Sequence, residues 1–133
     1  MVEIHCFITL RDSFKPCYDE KENYLPFIKD ELKKLEFYKI EIKAKNGEHY
    51  IQFSHFTNHL GSDFSELLEF FCNVGKIAKG SYGLLYMHND EDKEDPNSFQ
   101  VWRLAKGEVR KFKDELLSPF IPTVEDFDEE NDR

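Results

Sequence analysis

The sequence predicts an α+β fold: a largely antiparallel sheet of about six strands with two amphipathic helices on one face, in the order β-α-β-β-α-β-β-β. Three observations carry that expectation. Residues 2–11 alternate, with Val2, Ile4, Cys6, Ile8 and Leu10 on one side and Glu3, His5, Phe7, Thr9 and Arg11 on the other, the period of a strand. Two later stretches instead repeat their apolar residues at helical spacing. An Asn46-Gly47 pair between alternating segments is the strongest short hairpin signal a sequence offers.

Taken in order, the first strand runs into a loop, Asp12–Lys21, that contains Pro16. Tyr24, Ile28, Leu32 and Leu35 then place a helix over 22–36, with Lys29, Lys33 and Lys34 on its wet side. Tyr38, Ile40, Ile42 and Ala44 alternate with charged residues as a second strand, which turns at Asn46-Gly47 into a third over 48–54. After an irregular stretch, His55–Gly61, Ser62 is placed to cap a second helix whose inner residues are Phe64, Leu67, Leu68 and Phe71 and which stops near Gly80. Tyr82–Met87 has little polar alternation and reads as a middle strand buried on both faces. Phe99–Leu104 and Glu108–Phe112 complete a meander with it, and Pro119 and Pro122 introduce an acidic end expected to be disordered.

The chain has 133 residues, enough for one domain. Its net charge of −9 disfavours direct nucleic-acid binding and favours a basic protein partner. The N-terminus lacks the marks of a secretory signal and no apolar run reaches the length of a membrane span, so a cytoplasmic protein with no membrane contact is expected. Cys6, Cys17 and Cys72 are odd in number and widely spaced, which fits reduced thiols.

Enzyme signatures are not met. There is no nucleophile elbow and no phosphate loop, and Gly75–Gly80 ends a helix where a phosphate site would open one. Cys72 beside Phe71 reads as a small buried hydrophobe. The run Asp90–Asp95 lacks the register of a calcium loop. His49, His55 and His59 form the one cluster with metal-ligand character, so a small metal- or ligand-binding enzyme domain built on them is the alternative reading; solvated or packed histidines are the ordinary one. No cofactor is expected.

Charge is segregated along the chain. Residues 19–45 carry seven acids and seven bases, residues 98–113 one acid and five bases, residues 90–95 five acids and one base, and residues 114–133 eight acids and one base. Such runs often serve solubility alone. The sharper reading makes Asp90, Glu91, Asp92, Glu94 and Asp95, with Glu125 and Asp126 of the tail, a partner-binding surface that imitates a polyanion, with Phe7 and Trp102 as aromatic anchors.

Several strings together resemble a known family. VEIHCFITLRDS at the start, Asn58-His59, the block Gly80–Asp92 (GSYGLLYMHNDED), Phe99–Val109 (FQVWRLAKGEV) and Leu117–Asp128 (LSPFIPTVEDFD) are similar to the immunity protein 7 family of bacterial polymorphic toxin systems, over nearly the whole chain. Cys6-Phe7 departs from the small residue and tryptophan of the family pattern, although an aromatic is kept. The resemblance implies a single immunity domain over 1–123, with 124–133 as an acidic tail. It also implies a cytosolic, non-enzymatic protein that neutralises a cognate toxin domain by stoichiometric binding at its active site or an adjacent exosite. A nuclease, whose substrate cleft is basic, is the toxin that the acidity suits.

Overall fold

The computed structural model describes residues 1–13 and 23–119. Their elements are β1 (Val2–Leu10), α1 (Leu25–Lys33), a short 3-10 helix (Glu36–Tyr38), β2 (Ile42–Lys45), β3 (Glu48–Thr57), α2 (Ser62–Ile77), β4 (Tyr82–Asn89), β5 (Gln100–Ala105) and β6 (Glu108–Lys113). The strands form a single six-stranded antiparallel sheet in the order β2-β3-β1-β4-β5-β6, so the predicted class and element order are those observed.

β1 is the axis of the sheet. Its alternation buries Val2, Ile4, Cys6, Ile8 and Leu10 against the helices and turns Glu3, His5, Phe7 and Thr9 to the opposite side. Both helices lie on the first side. Ile28 of α1 and Phe64, Leu67, Phe70, Phe71 and Val74 of α2 join the buried residues of β1, β4 and β5 in one core. Close packing of α2 on the sheet depends on Gly75, where an added Cβ would stand 2.6 Å from Leu104 Cδ1 and 3.4 Å from the backbone of Gly107.

Two hairpins use the turn chemistry that the sequence announces. Asn46 and Gly47, and likewise Lys106 and Gly107, all take positive φ, the geometry that matches strand twist in a two-residue turn.

Several details differ from the sequence-based expectation, among them the first helix, which spans Leu25–Lys33 and not 22–36. The alternation begun at Tyr38 does not start a strand there: Tyr38 is buried, its hydroxyl donates to Asp63 at 3.1 Å on α2, and the chain passes through a left-handed Lys39 before β2 begins at Ile42. Burial, and then the neighbouring Asp63 carboxylate, push the Tyr38 phenol up. β3 runs on to Thr57 through the stretch read as irregular, because the first residues of β1 take it as partner, Val2 opposite Thr57 and Ile4 opposite His55. Gly61, not Ser62, occupies the cap position of α2. β4 lies beside β1 in the middle of the sheet as expected, yet it is buried mainly on one face: Gly83, Leu85 and Met87 are covered, while Tyr82 is exposed and Leu84 and Tyr86 are half-buried. Most of the Pro16 loop and the acidic tail lie outside the described residues.

Candidate functional site

The five acids of the loop between β4 and β5 sit at one end of the sheet, where β1 begins and β3, β4 and β6 end. Side chains at the loop's start and middle hold its backbone. Asn89 Oδ1 accepts the Glu91 N–H at 3.0 Å, and Asp92 Oδ1 accepts the N–H groups of Glu94 at 2.9 Å and Asp95 at 3.4 Å. Asp92 Oδ2 takes a further bond from Gln100 Nε2 at 3.1 Å. At one side the N-terminal ammonium donates to Asp90; at the other Lys113 lies 3.2 Å from Asp95, and His88 Nε2 pairs with the Pro96 carbonyl at 2.7 Å.

These ties set the charges. The hydrogen bond from the N-terminal ammonium holds the Asp90 carboxyl below the usual carboxylate range. Ser98, and then the Lys113 ammonium, do the same for Asp95. Asp90, Asp92 and Asp95 thus spend their carboxylates on shaping the loop, while Glu91 and Glu94 are exposed. Glu91 reaches His59 at 2.8 Å across the adjoining β3–α2 loop. Met1, Phe56, Leu60, Leu116 and Leu117 are the exposed large apolar residues at or near this end of the sheet.

The two predicted aromatic anchors part company. Phe7 points to the side of the sheet away from the helices and is 43% exposed, beside a groove of about 370 Å³ floored by Thr9, Tyr50 and Gln52. Trp102 points the other way. It is opposite Leu85 in the ladder, packs on Phe64 with ring centroids 5.3 Å apart and is only 8% exposed, so its place as an exposed anchor is corrected to one in the core. The register explains the difference, since Trp102 shares its face with the buried side of β1. Glu125 and Asp126 lie outside the described residues.

The histidines do not converge. His49 and His55 are six residues apart along β3, roughly 20 Å of extended chain. His55 is set among rings, 4.7 Å from Tyr38 and 5.2 Å from Phe37, while His59 is solvent-exposed on Glu91. Among the described residues no group of three His, Cys, Asp or Glu side chains is placed to hold a metal ion. Burial pushes the Cys6 thiol up, as it does that of Cys72, the reverse of what a thiolate nucleophile requires.

Sequence reasoning placed aromatics on the strands but did not settle which of them the uncovered sheet face displays. Tyr82 and Phe112 stand on the same side of the sheet as Phe7, with the Arg11 guanidinium over the Tyr82 ring at 5.5 Å and that of Arg103 over Phe112 at 4.8 Å. These residues come from four strands. Alternation within β1 and β6 gave a partial signal, but which side of β4 and β5 is open depends on where the helices pack.

A small α+β binding module, with an acidic end tied in place and an aromatic sheet face left open by its helices, is the class of protein that this fold and surface define. The model of the family Immunity protein 7 matches residues 1–126, and the chain belongs to that family. No curated protein and no solved structure matches it. As an immunity protein it has a cognate toxin as its partner and acts as that toxin's inhibitor.

Proposed function

We propose that this protein works in the cytoplasm as a one-to-one inhibitor of a nuclease toxin, and that its acidic end draws in the toxin's basic surface. The observation that carries the reading is the loop Asp90–Asp95. Three of its carboxylates fix its shape, and two, Glu91 and Glu94, are left exposed at an end of the sheet that also carries exposed Phe56 and Leu60. A charged patch next to apolar surface raises the rate of encounter and then gives the partner something to bury. In this reading residues 1–123 bind the toxin and residues 124–133 contribute little beyond charge.

Calorimetric titration against the C-terminal domain of whatever large secreted protein is encoded immediately upstream, catalytically inactivated, tests the inhibitor reading. Tight binding at equal stoichiometry supports it; absence of binding by a folded toxin domain removes it. For the steering role the variant is Glu91→Gln with Glu94→Gln, which spares the ties within the loop. Association should slow about 5-fold or more at low salt and lose much of its salt dependence, with dissociation little changed. Native association kinetics in that variant would take the loop out of the mechanism.

A further inference from the structure

The side of the sheet away from the helices has a charge opposite to that of the whole molecule. By register the strands present Lys43, Lys45, Arg103 and Arg110 against Glu3, Glu48 and Glu108, and Arg11 and Asp114, each one residue past a strand end, add one charge of each sign, in a chain of net charge −9. Two of the three strand acids are engaged: Glu3 pairs with His5, and Glu48 binds the Arg11 guanidinium at 2.6 Å. Glu108 meets Arg110 only at 3.4 Å, with both side chains about two-thirds exposed, a contact of little energetic weight.

Arg103 and Arg110 are direct cross-strand partners on β5 and β6. Like charges placed opposite each other weaken a strand pair, so folding gives no reason for this arrangement. Among the described residues Arg103 has no carboxylate partner, and its guanidinium carbon stands 4.8 Å from the centroid of the exposed Phe112 ring. A cation–π contact of this kind holds the planar fork ready for a carboxylate, and arginine with exposed aromatic rings is the composition of interface hot spots.

We propose that Arg103 and Arg110, floored by Phe112 and the adjoining Leu84, receive an acidic side chain of the toxin, and that the open face from Phe7 to Phe112 is the docking surface. The proposal rests on the toxin-inhibitor reading and deepens it. A basic substrate cleft does not fit a positive face, so the toxin is held through an acidic, apolar surface outside that cleft, which makes this an exosite inhibitor. A second copy is a poor occupant, because two-fold pairing sets the same positive patch against itself. The acidic loop nearby and the net charge of the molecule repel a phosphate backbone.

The test compares Arg103→Gln/Arg110→Gln, Arg103→Lys/Arg110→Lys and, as a control with the same loss of charge elsewhere, Lys76→Gln/Lys79→Gln, each titrated against the inactivated toxin domain. The glutamine pair should bind about 30-fold or more weakly through faster dissociation, and the lysine pair should recover only part of that because it lacks the bidentate fork. The control should stay within about 2-fold of native. Relief of the like-charge pair should leave the thermal midpoint of the glutamine variant unchanged or raised, which separates loss of binding from loss of fold.

A glutamine variant that binds within about 2-fold of native overturns the site while leaving the inhibitor reading intact. No binding by the native protein overturns both. A single-stranded oligonucleotide bound by the native protein and released by the glutamine variant would overturn the protein-carboxylate assignment. So would a deletion of 124–133 that lowers the thermal midpoint of the native chain and not of the glutamine variant, since the occupant would then be the chain's own acidic end.

Discussion

Trp102 and Phe7 are aromatic residues of one sheet that face opposite ways, and truncating each to alanine separates core from docking surface. At 8% exposure Trp102 is almost wholly buried, and its removal empties the space beside Phe64 and under the Lys111 ammonium, 5.3 Å from its ring. A buried Trp→Ala change costs about 3–5 kcal/mol, and for a chain of this length each kcal/mol lowers the thermal midpoint by about 4 °C, giving a fall of about 12–20 °C. Phe7 already leaves 43% of its surface in water, so Phe7→Ala should cost only about 1 kcal/mol, a fall of about 4 °C. Binding should rank the other way. In calorimetry with the toxin domain Phe7→Ala should lose about 10-fold or more in affinity, as a central aromatic anchor does. Trp102→Phe, which keeps an aromatic core and folds more readily than the alanine variant, should bind close to native. Melting curves followed by circular dichroism supply the stability half. If Phe7→Ala melts as low as Trp102→Ala, or binds as tightly as native, the assignment of the two faces is wrong.

Two further outcomes follow from the packing and the ion pairs. Gly83 sits opposite Ile8 where a Cβ would fall 2.0 Å from the Phe7 carbonyl oxygen and 2.8 Å from the Ile8 Cα, both backbone atoms of the central strand. Gly83→Ala should therefore lose about 3 kcal/mol or more in urea unfolding, against about 1 kcal/mol for Gly47→Ala, which meets only the strain of positive φ; equal losses would contradict the close approach of β4 to β1. Asp90 and Asp95 have carboxyls held below the ordinary value near 3.9, by the N-terminal ammonium and by Ser98 with Lys113 respectively. Their contribution to loop order is complete above that ordinary value and is lost as pH falls through their lower folded-state values. Carboxyl NMR titrations should show both midpoints displaced downward, and midpoints at the ordinary value would mean that the ties are not held in solution.

Most of the fold could be read from the chain because its signals are local. Alternation in β1, the Asn46-Gly47 turn and the apolar stripe of α2 each lie within a few residues. The misplaced boundaries share a cause: a distant partner overrode the local pattern. Tyr38 leaves the strand alternation for a hydrogen bond to Asp63, and β3 extends through His55 because β1 needs a neighbour as far as Val2. The acidic loop was legible as a run of charge. Its division into structural and solvent-facing carboxylates was not, since the ammonium of Met1 and the side chain of Lys113 reach it from opposite ends of the chain.

The positive face was hidden for a related reason. A running charge count sees Asp90–Asp95 at once, but Lys43, Lys45, Arg103 and Arg110 belong to three strands, with Arg11 just past a fourth, and they gather only when the fold places them on one side. Distance then divides the labour between the two charge sets. Out to about a Debye length, about 8 Å in physiological salt, the net negative field and its acidic pole govern approach, while at contact the local arginines decide what is held. An inhibitor built this way needs a partner with basic surface at the rim and acidic surface at the point of contact. Kinetics keep the two contributions apart: Glu91 and Glu94 act on the association rate and its salt dependence, and Arg103 and Arg110 on the dissociation rate. A variant combining both pairs of substitutions should therefore associate as slowly as the glutamate variant and dissociate as fast as the arginine variant, because the two pairs act on different rate constants.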